Sequence, residues 1–294
     1  MNSSILVLAS LPEAAEHTAR AAAALTAPLT APLHLPLVLL HLDVYPVMLE
    51  PELVAASAEQ TARNEAETMA GLRALAHRLP GATQVAESAG ILCNAVAEAV
   101  ARYQPLLLVM GLSPGHDVLD HWLHNQVLPV LQATHQPLLL VPEKYSPAAP
   151  SSPRRVLLAL DAEPFRLNAA AKALAPLLAA WQAAFTVAHV VTSQEPDANP
   201  GRMAMADVRA SGLLPADAPL WFYQELHETP AAGVLQAVAD THADVVVLIA
   251  RPRSFLGRLF HRSVTAAVLR HCPVPVLLVP VEAPELPGWM PVMS

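Results

Sequence analysis

Basic side chains are concentrated near the end of the chain, between positions 251 and 263. A run typical of a buried strand precedes this segment, and a helical pattern follows it. The segment contains five basic residues and a serine that opens the helix: Arg251, Arg253, Arg258, His261, Arg262 and Ser263. Guanidinium groups bind phosphate oxygens directly, and a helix N-terminus favours an anion. The segment predicts an anion site, unless the arginines fill the cleft and their charge is solvated.

A second polar cluster lies in the first half of the chain. It consists of three histidines and two aspartates: His116, Asp117, Asp120, His121 and His124. Imidazole and carboxylate together are a ligand set for Zn or Ni, and His121 and His124 fall on one helical face. The spacing is not diagnostic of a metal, because Asp117 or Asp120 would also serve as a helix cap. We assign no metal site here.

No pattern in the sequence indicates a catalytic residue. With only ten glycines, the chain has no complete P-loop or dinucleotide-binding fingerprint, and it has no Gly-x-Ser-x-Gly elbow. Ser263 has His261 and His271 nearby, but a serine that opens a helix usually caps it. We therefore expect a protein that is not an enzyme.

Composition indicates a folded, cytoplasmic protein that binds neither nucleic acid nor a membrane. Hydrophobic residues make up 54% of the 294 residues and charged residues 14%, and the net charge is −8. This mild acidic excess argues against a nucleic-acid surface. The uncharged stretches Ala21–Leu42 and Ala173–Ser193 approach the length of a membrane span, but we interpret each as a buried helix followed by a buried strand. Cys93 and Cys272 are expected to be reduced.

Internal similarity shows how the chain is organised. Residues 5–10, 106–111 and 137–142 resemble residues 156–161, 245–250 and 275–280, in the same order. We predict a first domain over 1–145, a second over 154–281, a Pro/Ser/Ala-rich linker over 146–153 and a C-terminal tail over 282–294.

Within each half, continuous apolar runs alternate with Ala-rich helical patterns. In the first half this predicts strands at 5–9, 36–42, 83–87, 106–110 and 137–141, and helices at 13–27, 51–78, 91–102 and 120–133. In the second half it predicts strands at 155–160, 184–191, 219–225, 244–249 and 275–279, and helices at 165–181, near 201–211, at 230–241 and at 263–271. Continuous Val/Leu/Ile runs are typical of strands buried on both faces of a parallel sheet. The fold class is therefore α/β, with two tandem, doubly wound, five-stranded units of Rossmann-like type.

The segment from Phe255 to Pro280, FLGRLFHRSVTAAVLRHCPVPVLLVP, resembles the C-terminal signature of the universal stress proteins. The order of elements is similar in both halves, and the first half is the more divergent. The resemblance implies an adenine-nucleotide alpha hydrolase-like fold and a role in stress response. In the nucleotide-binding branch of the family, an aspartate ends the first strand, a Gly-x-x-Gly loop follows the fourth, and Gly-Ser or Gly-Thr opens the last helix.

The resemblance places weak nucleotide-binding candidates in the second half at Asp161, Val190, Ala250, Arg253, Arg262, Ser263 and Val264. In the first half it places still weaker equivalents at Gly111, Gly115, Asn125 and Gln126. Asp161 stands where the aspartate belongs, but Ala250, Arg253 and Arg262 replace glycines. In the first half, Ala9 and Ser10 stand in place of the aspartate.

These substitutions favour a stress-response binding or signalling module whose nucleotide loops are lost. The alternatives are a sensor of adenine nucleotide or another phosphate ligand through the second half, with ATP as its ligand, and a slow ATPase. In the family the last strand pairs across a dimer interface. We therefore expect Leu138–Val141 and Val276–Val279 to form an intramolecular pseudo-dimer or a homodimer contact, and the module to have a protein partner.

Overall fold

The computed structural model describes residues 3–9, 12–43, 51–112, 123–146, 152–161, 163–191, 200–251 and 264–282. The first half contains β1 (Ser4–Ala9), α1 (Pro12–Leu33), β2 (Leu37–Asp43), α2 (Pro51–Arg78), β3 (Thr83–Ala89), α3 (Leu92–Tyr103), β4 (Pro105–Leu112), a π-helical turn (Leu123–Val127), α4 (Leu128–Thr134) and β5 (Leu138–Pro142). The second half contains β6 (Arg155–Ala159), α5 (Ala169–Lys172), α6 (Ala175–Trp181), β7 (Ala184–Val191), α7 (Pro200–Ser211), β8 (Leu220–Leu226), α8 (Pro230–Thr241), β9 (Val245–Ala250), α9 (Val264–His271) and β10 (Val276–Pro280).

The strands form one sheet in the order β3-β2-β1-β4-β5-β10-β9-β6-β7-β8. Each half therefore repeats the same doubly wound order, which confirms the predicted fold class. Neighbouring strands are parallel except at the centre, where β5 and β10 are antiparallel and Leu139 lies opposite Leu277. The last strands of the two halves thus pair with each other inside the chain.

Helices cover both faces of the sheet, and each face has one hydrophobic core that runs through both halves. One core packs α1, α2, α6 and α7 against the sheet and contains Ile5, Val7 and Phe185. The other packs α3, α4, α8 and α9 and contains Leu6 and Leu157. Strands such as β1 are buried on both faces, which explains their uninterrupted apolar sequences.

The first helix extends further than predicted. The expected end at residue 27 is wrong, because α1 continues through Pro28 and Pro32 to Leu33. Proline normally interrupts a helix because it offers no N–H to the carbonyl four residues earlier. Here Leu25 and Leu29 are buried in the core, and burial of this apolar face offsets the loss.

Two other predicted helices are interrupted at prolines. The helix expected at 165–181 is two short helices, because Pro176 gives no N–H to the carbonyl of Lys172. The described part of the helix expected at 120–133 begins as a π-helical turn, because Pro129 likewise gives no N–H to the carbonyl of Asn125.

Hydrogen bonds also join the two halves. The indole Nε1 of Trp181 donates to the carbonyl of Leu25 at 2.6 Å. The amide Nδ2 of Asn168 donates to the carbonyl of His135 at 2.8 Å, while its Oδ1 caps α5 by accepting from the backbone N–H of Ala171. The first contact joins α6 to α1, and the second joins the start of α5 to the end of α4.

Candidate functional site

In the second half, the carboxyl ends of β6 and β9 lie side by side, at the place where doubly wound sheets form their ligand crevice. The order of strands reverses at this point, since β6 lies between β7 and β9. Ligands of doubly wound sheets bind at such a reversal. Asp161 follows β6 and Arg251 follows β9, so these side chains, 90 positions apart in the sequence, face each other across the crevice.

Arg251 makes a two-pronged ion pair with Asp161. Its Nε donates to Oδ2 of Asp161 at 3.0 Å, and its Nη2 donates to Oδ1 at 2.8 Å. This side-on geometry is the strongest arrangement of a guanidinium and a carboxylate. The side chain of Arg251 is only 11% exposed, whereas that of Asp161 is 52% exposed. The arginine therefore lies within the crevice, with the carboxylate at its open side.

The same guanidinium holds the loop that follows β6. Nη1 of Arg251 donates to the carbonyl of Pro164 at 3.0 Å, and Nη2 donates to the carbonyl of Glu163 at 2.6 Å. Oδ1 of Asp161 also accepts from the backbone N–H of Glu163 at 3.1 Å. Both carboxylate oxygens of Asp161 are thus engaged within the protein, and the charge of Arg251 is neutralised where it was predicted to meet an anion.

The other described candidates of the second half differ in exposure. Val190 is 8% exposed and packs over Gly233 of α8, where an added Cβ would lie 2.5 Å from Cγ1 of Val190. Ala250 is the buried last residue of β9, and Val264 is the first residue of α9 and 40% exposed. The candidates Arg253, Arg262 and Ser263, with Arg258 and His261, lie outside the described residues.

In the first half, Gly111 is used for packing between elements. A Cβ at Gly111 would lie 2.5 Å from Oγ1 of Thr18, so α1 approaches β4 too closely for any side chain there. Asn125 and Gln126 are exposed and lie in the π-helical turn. Gly115 and Ser10 lie outside the described residues.

A pair of buried histidines, which the sequence comparison did not detect, marks the equivalent position in both halves. Nδ1 of His41 on β2 lies 3.3 Å from the carbonyl of Ala9, and Nδ1 of His189 on β7 lies 3.1 Å from the carbonyl of Leu160. Both rings are less than a tenth exposed. Each histidine therefore links the second strand of its half to the carboxyl end of the first strand. In the second half, the bonded residue Leu160 directly precedes Asp161.

The cluster considered for a metal falls almost entirely outside the described residues, since His116, Asp117, Asp120 and His121 lie there and only the backbone of His124 is described. Within the described ranges, no group of three or more His, Cys, Asp or Glu side chains is arranged to hold a metal ion. No described helix combines the length and apolar character needed to cross a membrane.

Two solved structures are similar to this chain over nearly their full length. A universal stress protein from Archaeoglobus fulgidus is 16% identical with a TM-score of 0.61, and the match covers 96% of this chain and 97% of that one. A functionally unknown protein from Pseudomonas aeruginosa is 15% identical with a TM-score of 0.51, covering 95% of this chain and 92% of that one. At these identities the similarity concerns the fold. No curated protein sequence is significantly similar to the chain.

The family model described as the universal stress protein family matches residues 153–280. This range includes Asp161, Arg251 and every strand of the second half. Residues 153–280 therefore match the universal stress protein family, and the first half repeats the strand order of the second.

Proposed function

We propose that this protein is a stress-response binding module that acts through its folded surface, and that its own arginine occupies the nucleotide crevice of the second half. The observation that carries this proposal is the bidentate pair between Arg251 and Asp161 at the reversal of strand order. In the nucleotide-binding branch of the family, the residue corresponding to Asp161 is the aspartate expected to contact the ligand.

A nucleotide would have to displace Arg251 before it could use Asp161. The guanidinium is nearly buried and also bonds the carbonyls of Glu163 and Pro164, so its displacement would also break its contacts to the loop that follows β6. A ligand shifts a conformational equilibrium only by its difference in affinity for the two states. The affinity for nucleotide is therefore lowered by the free energy needed to open the pair.

The first half offers no better site among its described residues. Gly111 packs against Thr18 of α1, where an added Cβ would lie 2.5 Å from Oγ1, so its lack of a side chain is explained by packing between α1 and β4. We therefore assign the interaction role to the module as a whole, with a protein as its partner.

A second candidate function, a sensor of adenine nucleotide, is favoured by the exposure of Asp161. Because its side chain is 52% exposed, a ligand can reach the carboxylate from solvent. Arg251 would then be released to bind phosphate oxygens, for which a guanidinium is well suited. In this function ATP opens the pair and stabilises the opened form.

A titration with ATP distinguishes the two functions. The thermal midpoint of the wild-type protein, Arg251→Ala and Asp161→Ala is followed as ATP is raised to millimolar concentration, and each variant is compared with its own ligand-free midpoint. Arg20→Ala serves as the control, because Arg20 forms an exposed ion pair with Glu16 far from the crevice in sequence.

We expect ATP to leave the midpoint of the wild type unchanged. A bound ligand would raise stability by RT ln(1 + [L]/Kd), so a rise in the wild type that Asp161→Ala abolishes would establish the sensor and contradict the first proposal. Phosphate release measured in the same samples tests for slow ATP hydrolysis.

A further inference from the structure

Strand β8, at one end of the sheet, has an apolar outer edge. Among the described elements it pairs only with β7. Trp221 is 63% exposed, Phe222 40% and Leu226 71%. Strand β3 occupies the equivalent position in the first half, yet none of its described side chains is an exposed large hydrophobic residue. Proteins usually protect a free strand edge with polar side chains, and only β3 follows that pattern.

The hydrogen bonds to β7 show which backbone groups of β8 face outward. The N–H of Phe185 donates to the carbonyl of Pro219, and the N–H of His227 donates to the carbonyl of Val191. In a parallel pair, alternate residues direct both of their backbone groups to the same neighbour, so residues 219, 221, 223, 225 and 227 face β7. Four residues therefore direct an N–H and a C=O away from the sheet: Leu220, Phe222, Gln224 and Leu226.

We propose that β8 is a dimer interface, on which β8 of a second copy of this chain pairs in antiparallel orientation with the two-fold axis at Tyr223. In this register Leu220 lies opposite Leu226 of the second copy, and Phe222 lies opposite Gln224. All four outward-facing residues of each copy then meet as hydrogen-bonded pairs, which gives eight inter-chain bonds from the groups just named. Moving the two-fold axis by one residue, to Phe222 or Gln224, would leave the outward backbone groups at one end of each strand without a partner.

The side chains agree with this register on both faces of the sheet. Phe222 packs over Gly201 of α7, so the even-numbered residues lie on that face and Leu220 would contact the second copy's Leu226. Tyr223 bonds to Asp240 of α8, so the odd-numbered residues lie on the opposite face. There, Glu225 would lie opposite Trp221, and no two like charges on β8 oppose each other.

The charges and the symmetry favour a second copy over an unrelated peptide. The sequence of β8 is complementary to itself in this register. Its apolar ends, Leu220 and Leu226, lie opposite each other, and its single charged residue, Glu225, lies opposite the indole of Trp221. A two-fold contact of this kind is the commonest form of assembly in soluble proteins. The chain already uses antiparallel pairing between equivalent strands at its centre, where β5 meets β10.

A single pair of strands makes a small interface, so we expect a reversible dimer with a dissociation constant between about 1 μM and 1 mM. Sedimentation velocity and light scattering over a concentration series measure it. Gln224→Pro removes an outward N–H without removing a bond to β7, and Leu226→Lys places a charge at the apolar end of the strand. Each is expected to weaken the dimer at least about tenfold.

Glu87→Pro is the matched control, because Glu87 has the same outward orientation on β3 at the other end of the sheet. It is expected to leave the dimer unchanged. Circular dichroism and the thermal midpoint show whether each variant keeps the fold. A wild type that stays monomeric throughout the series, or a dimer that survives both β8 substitutions in folded protein, would overturn the proposal.

A disulfide tests the register itself. Tyr223→Cys would place two thiols at a non-hydrogen-bonded position on the two-fold axis, where Cα atoms are about 4.5 Å apart and within reach of a disulfide. We expect mild oxidation to link this variant into a covalent dimer, while the wild type, with Cys272 buried and Cys93 half-buried, stays unlinked. Linking of Leu226→Cys in preference to Tyr223→Cys would exclude the proposed register.

Discussion

Replacing Arg251 by alanine should destabilise the second half through the loop that follows β6. The guanidinium donates two bonds to Asp161 and one each to the carbonyls of Glu163 and Pro164. A hydrogen bond to a charged group contributes about 1.5–3 kcal/mol net. The four bonds do not add, because Asp161 is 52% exposed and water replaces the arginine on its open side. We expect the free energy of unfolding to fall by about 1.5–3 kcal/mol in total.

Urea denaturation with linear extrapolation measures this change, and the thermal midpoint should fall by roughly 3–9 °C. Arg251→Lys should recover less than half of the loss, because an ammonium group cannot bridge two carboxylate oxygens in the same way. Arg20→Ala, at an exposed pair, should change stability by no more than about 0.5 kcal/mol. If Arg251→Ala lowered stability as little as Arg20→Ala, the pair of Arg251 and Asp161 would contribute no more than a solvated charge, and it would not hold the crevice closed to a nucleotide.

Three further substitutions or measurements test the packing. Trp181→Phe removes the bond from the indole to the first half and should cost about 1–3 kcal/mol in urea denaturation; an unchanged midpoint would show that this contact does not hold the halves together. Gly233→Ala forces a methyl group against the side chain of Val190 and should lower the thermal midpoint by an amount equivalent to about 1–3 kcal/mol, which Val190→Ala in the same chain should partly restore. Burial raises the pKa of Cys272 to about 11, so at pH 8 a thiol reagent should modify Cys93 in the folded protein and Cys272 only after unfolding, and equal rates for both thiols would contradict this. Because folded Cys272 keeps its proton to higher pH than the unfolded chain, its contribution to stability is present below pH about 9 and is lost as the pH rises towards about 11.

Much of the secondary structure followed from local pattern. The helices at 51–78 and 230–241 and the strand at 184–191 were predicted to the residue. Apolar runs such as Ile5–Leu8 are continuous because both faces of the strand are buried, and this property is visible in the sequence. The errors occurred where proline and tertiary packing compete. Buried Leu25 and Leu29 keep α1 helical past Pro28. In the second half, Pro176 instead divides the helix predicted at 165–181 into α5 and α6.

The candidate site was predictable in part. Asp161 was placed correctly after the first strand of the second half, and the arginines after β9 were recognised as unusual. Their partner was not predicted, because Arg251 and Asp161 are brought together only by the reversal of strand order at β6. His41 and His189 were missed for a related reason, since each bonds to a carbonyl on a neighbouring strand and the sequence carries no record of that contact.

The sequence by itself determined the repeat, the α/β class and the position of the aspartate, because periodicity and burial are local properties of a chain. The tertiary structure alone decided how the repeats combine. Pairing of β5 with β10 joins the two repeats into one sheet. The order of the strands in that sheet brings Arg251 into contact with Asp161. The same strand order places β5 and β10 inside the sheet and β8 at its end, so the free apolar edge is that of β8. These outcomes depend on which strands become neighbours, and that is set by the global packing of both cores and not by the residues of any one segment.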